Sequence, residues 1–443
     1  MISLQYDKGS LLIRGEVGTP YGRWDPRVGA FRAMALHYTE VLEYLDRSRL
    51  LYRDEVADPI PVPPLGSDVE LRPYQREALE AWLDAGRRGV IELPTGAGKT
   101  YIALKAMERL NAPTLVVVPT LDLMDQWRSQ LERFFKVDVG VVGGGEAVLR
   151  SLTVSTYDSA WIRAEQLGNR FLFIVFDEVH HLPAPSYMQI AEMYIAPWRL
   201  GLTATYERED GAHDELPRLV GGRVYQLGVD ALTGRHLSPY THEKLFVDLT
   251  PEEREIYERE YTVFTGYLKR KNIRLRGPRD FQRFIMFTGG NNEAREALLA
   301  RNRAVDVALN SDSKIKVLAD LLKAYGDEKI IIFTRHNKLV YRISRRFLIP
   351  AITHQTPKDE RREILDAYKK DMLRAVVTSQ VLDEGIDVPA ASVAFIISGT
   401  GSNREYIQRL GRILRKQKGK KAKLFELVTS NTMETRISYR RHH

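Results

Sequence analysis

The sequence predicts an α/β fold: two parallel-sheet units, a small N-terminal α+β unit and a helical insertion. Three observations carry this. Apolar strand-like runs alternate with amphipathic helical stretches from Leu71 to about Tyr225, and the alternation resumes after about Ser313. A proline-rich segment, DPIPVPPLG, sets off everything before it. Such alternation implies a parallel sheet with helices on both faces.

In chain order, LQYDKGSLLIRGEV reads as a hairpin turning at Lys8–Ser10, and FRAMALHYTEVLEYLDRSR has helical apolar spacing. Tyr21 and Trp24 in this unit are assigned to core packing rather than to contact with a lesion. Four prolines within the nine residues Asp58–Gly66 favour an extended linker. GVIELP, TLVVVP, LTVSTY, FLFIVFDE and WRLGLTAT are strand candidates, with helices over Thr100–Leu110 and Leu121–Phe135. KIIIFT, LRAVVTS, VAFIIS and KLFELVT repeat the pattern later, with DERREILDAYKK as a helix between them. Pro251–Arg303 is highly charged and mostly helical in spacing, an insertion rather than a further sheet. The expected boundaries are 1–57 for the N-terminal domain, 58–66 for the linker and 67–240 for the first lobe. A connecting strand and helical insertion occupy 241–304, and the second lobe 305–443.

The composition of the 443 residues, 44% hydrophobic and 28% charged, belongs to a globular chain of several domains. A net charge of +8 suits a polyanionic partner and equally suits a plain basic soluble protein. The lack of cysteine excludes disulfides, thiolate metal sites and cysteine nucleophiles, and fits a cytoplasmic location. No apolar run reaches the ~20 residues that span a bilayer, and the N-terminus lacks a signal-peptide core. The closing His442–His443 is set aside as tag-like.

The chemistry starts at GVIELPTGAGKTYIAL, a strand, a glycine turn and a helix opening on Lys-Thr. A triphosphate needs inward-pointing backbone N–H groups, and Gly96 and Gly98 permit that curvature within Pro94, Thr95, Gly96, Ala97 and Gly98. Lys99 is expected to reach the β- and γ-phosphates of ATP, and the Thr100 hydroxyl to ligate Mg²⁺. Leu93 occupies the position of the first glycine in the strict phosphate-loop pattern. FLFIVFDEVHH delivers Asp177 and Glu178 at a strand's carboxyl end, where open parallel sheets bind ligands. Asp177 is assigned to the Mg²⁺ shell and Glu178 to polarising the attacking water. His180 is read as a coupling or structural residue rather than a zinc ligand. Thr120, Thr156 and Thr203–Thr205 put hydroxyls at strand ends, suited to nucleic-acid phosphates.

In the second unit Thr334 and Thr378–Ser379 are offered to the nucleic-acid backbone. Gly385 permits a tight turn, and Asp387 is placed to meet the nucleotide's sugar. Gln408, Arg412 and Arg415 recur at spacings of four and three, near one helix face. An arginine there would stabilise charge on the transferring phosphoryl group. The basic run RILRKQKGKKAK adds DNA affinity or is simply solvated; both readings stay open.

PTGAGKT, DEVHHLPA, GLTAT, SQVLDEGIDVP and YIQRLGRILR, in this order, make the chain resemble superfamily 2 helicases, and within them the XPB-type DNA helicases in their archaeal form. PTGAGKT is the phosphate-loop variant usual in helicases. The resemblance implies two RecA-like helicase lobes, and it places Arg72 and Gln75 of a Q-like motif at the adenine. Arg208–Glu209–Asp210 matches an R-E-D element implicated in opening DNA, Pro251–Arg303 a thumb-like element, and the N-terminal unit a damage-recognition-like domain. It further implies a DNA-dependent ATPase of 3′–5′ polarity in nucleotide excision repair or promoter opening, acting on forked, bubble or damaged duplex. A partner nuclease and a nucleoid-associated place in an archaeal cell come with it. An ATP-switched DNA clamp that recruits a nuclease, with little processive unwinding, remains the alternative. A duplex translocase of remodelling or restriction type fits less well, because its usual large insertions are missing.

Overall fold

The computed structural model describes residues 2–15, 17–208, 210–232, 240–379, 391–398 and 422–440. The chain divides into two compact units, one covering Met1–Leu232 and the other beginning at Thr233.

The first unit opens with a five-stranded sheet made of β1 (Ile2–Asp7), β2 (Ser10–Arg14), β3 (Gly22–Asp25), β4 (Ala30–Met34) and β5 (Tyr52–Glu55). The expected hairpin is present, with Lys8 at φ 47° and Gly9 at φ 88° in the turn. The expected long helix is not. Ala30–Met34 is a strand paired on both sides, Leu11 facing Ala33 and Trp24 facing Phe31, so α1 covers only Tyr38–Arg47. Ladder bonds on both edges outweigh the helical spacing of FRAM. Trp24 and Tyr21 also depart from the core-packing expectation, at 55% and 37% exposure. Trp24 sits on the edge strand β3, where its ring meets Phe31 edge-on.

This small sheet is fastened to later parts of the same unit. The Tyr6 hydroxyl donates to the carbonyls of Ala164 and Met193 (3.0 and 3.1 Å), and Ile195 packs into the small sheet's core. The proline segment is extended but tied down. Asp58 N donates to Asn169 O, Ile60 N to Arg170 O, and Leu65 N to Asn111 Oδ1.

The remainder of the first unit is an eight-stranded sheet in the order β13-β6-β12-β11-β7-β10-β8-β9. Its strands are β6 (Arg88–Glu92), β7 (Thr114–Val118), β8 (Gly140–Gly143), β9 (Glu146–Val148), β10 (Leu152–Thr156), β11 (Phe173–Asp177), β12 (Trp198–Thr203) and β13 (Arg223–Gln226). All pairings are parallel except β8 with β9. The helix α2 (Pro73–Asp84) leads into β6, and α3 (Lys99–Leu110), α4 (Leu121–Phe135) and α5 (Tyr157–Ile162) lie between later strands. Because β12 lies between β6 and β11, the carboxyl ends of these three strands stand side by side, ~4.8 Å apart at each step.

The second unit has a six-stranded parallel sheet in the order β14-β19-β18-β15-β17-β16. It comprises β14 (Tyr240–Val247), β15 (Ile330–Phe333), β16 (Ala351–Ile352), β17 (Ala375–Thr378), β18 (Val393–Ile396) and β19 (Ala422–Thr429). The strand expected merely to connect, β14, is an edge strand paired along its whole length with β19. The charged insertion forms the helices Pro251–Arg270, Pro278–Phe287 and Asn292–Leu309. A capping box between Thr250 and Glu253 starts the first of them. Alanines 294, 297, 300, 304 and 308 are buried on the third, and small side chains there permit close helix packing.

Lys314 and Glu434 form a fully buried ion pair. The ammonium donates to both carboxylate oxygens (2.7 and 2.6 Å) and to Ile397 O (2.8 Å), and Thr429 N donates to Glu434. Removing one partner strands the other charge. Lys314→Met is therefore expected to destabilise the second unit by ~3–5 kcal/mol. The double change Lys314→Met/Glu434→Leu should recover part of that loss, read as hydrogen-exchange protection of the β15 and β18 amides.

Candidate nucleotide site of the first unit

The loop after β6 is shaped by glycines in the left-handed region, Gly96 at φ 83° and Gly98 at φ 78°. Gly98 caps α3, and a Cβ there would come within 2.5 Å of Gln75 Nε2. The α3 amino end therefore opens on a tight backbone curve, the arrangement that receives phosphate. Lys99 folds across this curve, its Nζ donating to Leu93 O at 2.9 Å. The Thr95 hydroxyl oxygen is buried and has no hydrogen-bond partner among the described residues. Such an oxygen at the loop suits a polar ligand.

Arg72 and Gln75 were expected at an adenine. In the structure Gln75, 3% exposed, is bound to protein instead. Its Nε2 donates to Ala97 O (2.8 Å), and its Oε1 accepts from Arg72 N (2.9 Å) in a capping box that starts α2. The Tyr74 hydroxyl donates to the same Ala97 carbonyl at 2.7 Å. The amino end of α2 thus braces the phosphate loop.

Asp177 ends β11 and is buried, 8% exposed. Oδ2 accepts from Trp127 Nε1 (2.8 Å), Oδ1 from Glu178 N (3.1 Å), and its carbonyl from the Tyr157 hydroxyl (3.1 Å). Burial pushes the Asp177 pKa up; the Trp127 bond and the Lys99 charge oppose that shift. Glu178 has φ 49°, ψ 55°, a left-handed backbone at a non-glycine residue that turns the chain directly after the strand. One of its carboxylate oxygens lies 3.4 Å from His180 Nδ1.

His180, wholly buried, connects this turn to the next strand. Its Nδ1 is 3.1 Å from Thr203 Oγ1, which donates to Thr205 O at 2.8 Å. The His180 carbonyl accepts from Arg208 Nη1. Arg208 also grips Asp210 in a two-pronged pair (2.9 and 2.6 Å), which holds the Asp210 carboxyl well below the usual range. Among the described residues no group of three or more His, Asp or Glu could hold a metal ion.

Thr120 and Thr156 stand at the amino ends of α4 and α5, their hydroxyls accepting from Leu123 N and Ser159 N. They act as helix caps. Thr334 and Thr378 require a correction. Both are 0% exposed, their hydroxyls donating to the carbonyls of His336 and Ser379, so neither presents a hydroxyl to a DNA backbone. Glu209, Gly385, Asp387, Gln408, Arg412 and Arg415 lie outside the described residues. Trp127 and Tyr157 were not expected at the site. Both read as core aromatics, and nothing near them in sequence signals their bonds to a residue 50 and 20 positions away.

Residues 68–208 match the family described as "Type III restriction enzyme, res subunit", and residues 313–417 the "Helicase conserved C-terminal domain". Residues 4–56 match the "Xeroderma pigmentosum group B helicase damage recognition domain". Over its full length, and over 100% of the relative, the chain is 45% identical to a protein of Sulfurisphaera tokodaii named DNA 3′-5′ translocase XPB2. The chain belongs to the XPB helicase family. Its two helicase domains imply that it uses ATP. Other XPB relatives are longer. A putative DNA 3′-5′ helicase Rad25 of Haloarcula marismortui is 31% identical over 83% of this chain and 53% of its own length. The DNA 3′-5′ helicase XPB of Mycobacterium tuberculosis is 28% identical over 84% of this chain and 63% of its own length. The helicase domain of Pyrococcus furiosus Hef has a similar fold, with a TM-score of 0.57 at 19% identity over 84% of this chain and 98% of that structure. No helix among the described residues of this XPB chain is long and apolar enough to cross a membrane.

Proposed function

We propose that this XPB chain hydrolyses ATP to move 3′–5′ along DNA and open duplexes during nucleotide excision repair, with a nuclease as partner. The observation that carries the reading is that His180 bonds Thr203 through its ring and Arg208 through its carbonyl, with a Glu178 carboxylate oxygen 3.4 Å from the same ring nitrogen. His180 joins the residue placed to polarise water to the element expected to act on DNA. Repeated hydrolysis at one end would then be felt at the other.

In this reading Gly96, Gly98 and Lys99 bind the phosphates, while Gln75 and Tyr74 keep the loop in its binding shape. Thr100 and Asp177 are oxygen donors of the kind Mg²⁺ takes, and the buried Asp177 carboxylate fits that ion. An Mg²⁺ ion held by these two residues would offset the negative charge of the nucleotide's phosphates. Glu178 orients the attacking water and takes its proton at the carboxylate. Gln408, Arg412 and Arg415 complete the proposal as charge-stabilising groups from the second lobe, on the strength of their motif alone. Thr120 and the Arg208–Asp210 pair are the groups proposed to contact the DNA, while the buried Thr156 hydroxyl stays with Ser159.

The test is ATPase activity with single-stranded, duplex, forked and bubble DNA, with strand displacement measured on the same substrates. Stimulation by DNA and ATP-dependent displacement, both abolished by Lys99→Ala, are the expected results. Strand opening that survives Lys99→Ala would sink the motor reading. DNA-stimulated ATPase without displacement would point to a clamp.

A further inference from the structure

We infer that Trp127 is a positioning residue for the Asp177 carboxylate, an inference that rests on the proposed role of Asp177 at magnesium. A tryptophan has one polar atom, its indole N–H, and a buried one needs an acceptor. Trp127 is 2% exposed on α4, and its N–H donates to Asp177 Oδ2 at 2.8 Å. The ring gives the bond its rigidity. It is clamped in the sheet-facing side of α4 together with the buried Met124, Leu131 and Phe135, so the donor has little freedom to follow the carboxylate. The other carboxylate oxygen takes the adjacent Glu178 N–H at 3.1 Å, and the Tyr157 hydroxyl pins the carbonyl of the same residue at 3.1 Å.

Asp177 is therefore held at three points, and only the Trp127 bond both fixes the carboxylate's rotation and comes from a distant element. Without it the carboxylate can turn about its side-chain bonds while its backbone stays in place. Outer partners of this kind set metal affinity through the ligand they hold.

The probe is methylanthraniloyl-ADP fluorescence, titrated once in excess EDTA and once in excess magnesium chloride. Wild type, Trp127→Phe, Trp127→His and Asp177→Asn are compared, each with its melting temperature. Magnesium is expected to tighten nucleotide binding in wild type, and Trp127→Phe to lose about tenfold or more of that tightening. Its affinity in EDTA should stay at the wild-type value. Trp127→His, which keeps a ring N–H, should regain part of the loss, as lost packing would not. Tightening by magnesium in Trp127→Phe equal to wild type overturns the inference, as does an equal loss in EDTA. Asp177→Asn separates the two levels. If it loses the tightening while Trp127→Phe keeps it, only the role of Trp127 fails. If Asp177→Asn keeps it, the magnesium assignment fails and the inference with it.

Discussion

Glu178→Gln is expected to bind nucleotide as wild type does and to turn it over on the order of 10³-fold more slowly, the usual scale of a lost general base. The amide matches the carboxylate in shape but cannot take a proton from water. The backbone argues that the substitution is read as chemistry rather than unfolding. Glu178 already occupies a left-handed conformation at φ 49°, and glutamine meets the same strain. Its neighbour His180 keeps the bonds to Thr203 and Arg208, so the turn stays in place. Single-turnover hydrolysis and nucleotide titration on the same preparation separate the two effects. Near-normal turnover would remove Glu178 from the mechanism.

Arg199→Met is expected to cost the first unit about 4 kcal/mol of stability, the scale of several buried carbonyls losing their donor. Arg199 is fully buried in β12 with no ion pair to a carboxylate among the described residues. Its guanidinium donates instead to four carbonyls, those of Ala196 (3.0 Å), Ala191 (2.8 Å), Leu219 (2.7 Å) and Tyr194 (2.8 Å). Burial pushes its pKa down, yet an arginine so surrounded by acceptors keeps its charge. Three of those carbonyls lie at or just beyond the end of the helix Pro185–Met193, where unsatisfied C=O groups and the helix dipole favour a cation. Methionine leaves the carbonyls buried without donors, at ~1–3 kcal/mol each, partly offset by the added apolar burial. Lysine should rescue only partly, since a point-like ammonium cannot span the fork. All five tryptophans lie before residue 200, so their fluorescence in a urea titration reports on the first unit alone. A loss below about 1 kcal/mol would mean that water replaces the guanidinium.

The two variants divide what was readable from what was not. The position of the acidic pair could be read because it is set locally. A run of apolar residues makes the strand, the strand ends, and the next two residues stand at its carboxyl edge. The glycine turn is local in the same sense, since its curve is set by the left-handed backbone of Gly96 and Gly98 just before the helix. Arg199 gave no such signal. In WRLGLT it reads as one charged residue in a buried strand, and only the fold turns the three carbonyls at or just beyond the end of Pro185–Met193 and that of Leu219 onto its guanidinium.

The sequence by itself therefore determined the alternation of strands and helices in the two larger sheets, the place of the glycine turn and of the acidic pair, and the helical insertion, because each follows from the pattern of adjacent residues. Tertiary structure decided which side chains were already committed. It gave Gln75 to the phosphate loop, buried Thr334 and Thr378, exposed Trp24 on an edge strand, made Ala30–Met34 a strand and brought Trp127 to Asp177. Exposure and hydrogen bonding depend on neighbours supplied by distant parts of the chain, and local spacing carries no record of them.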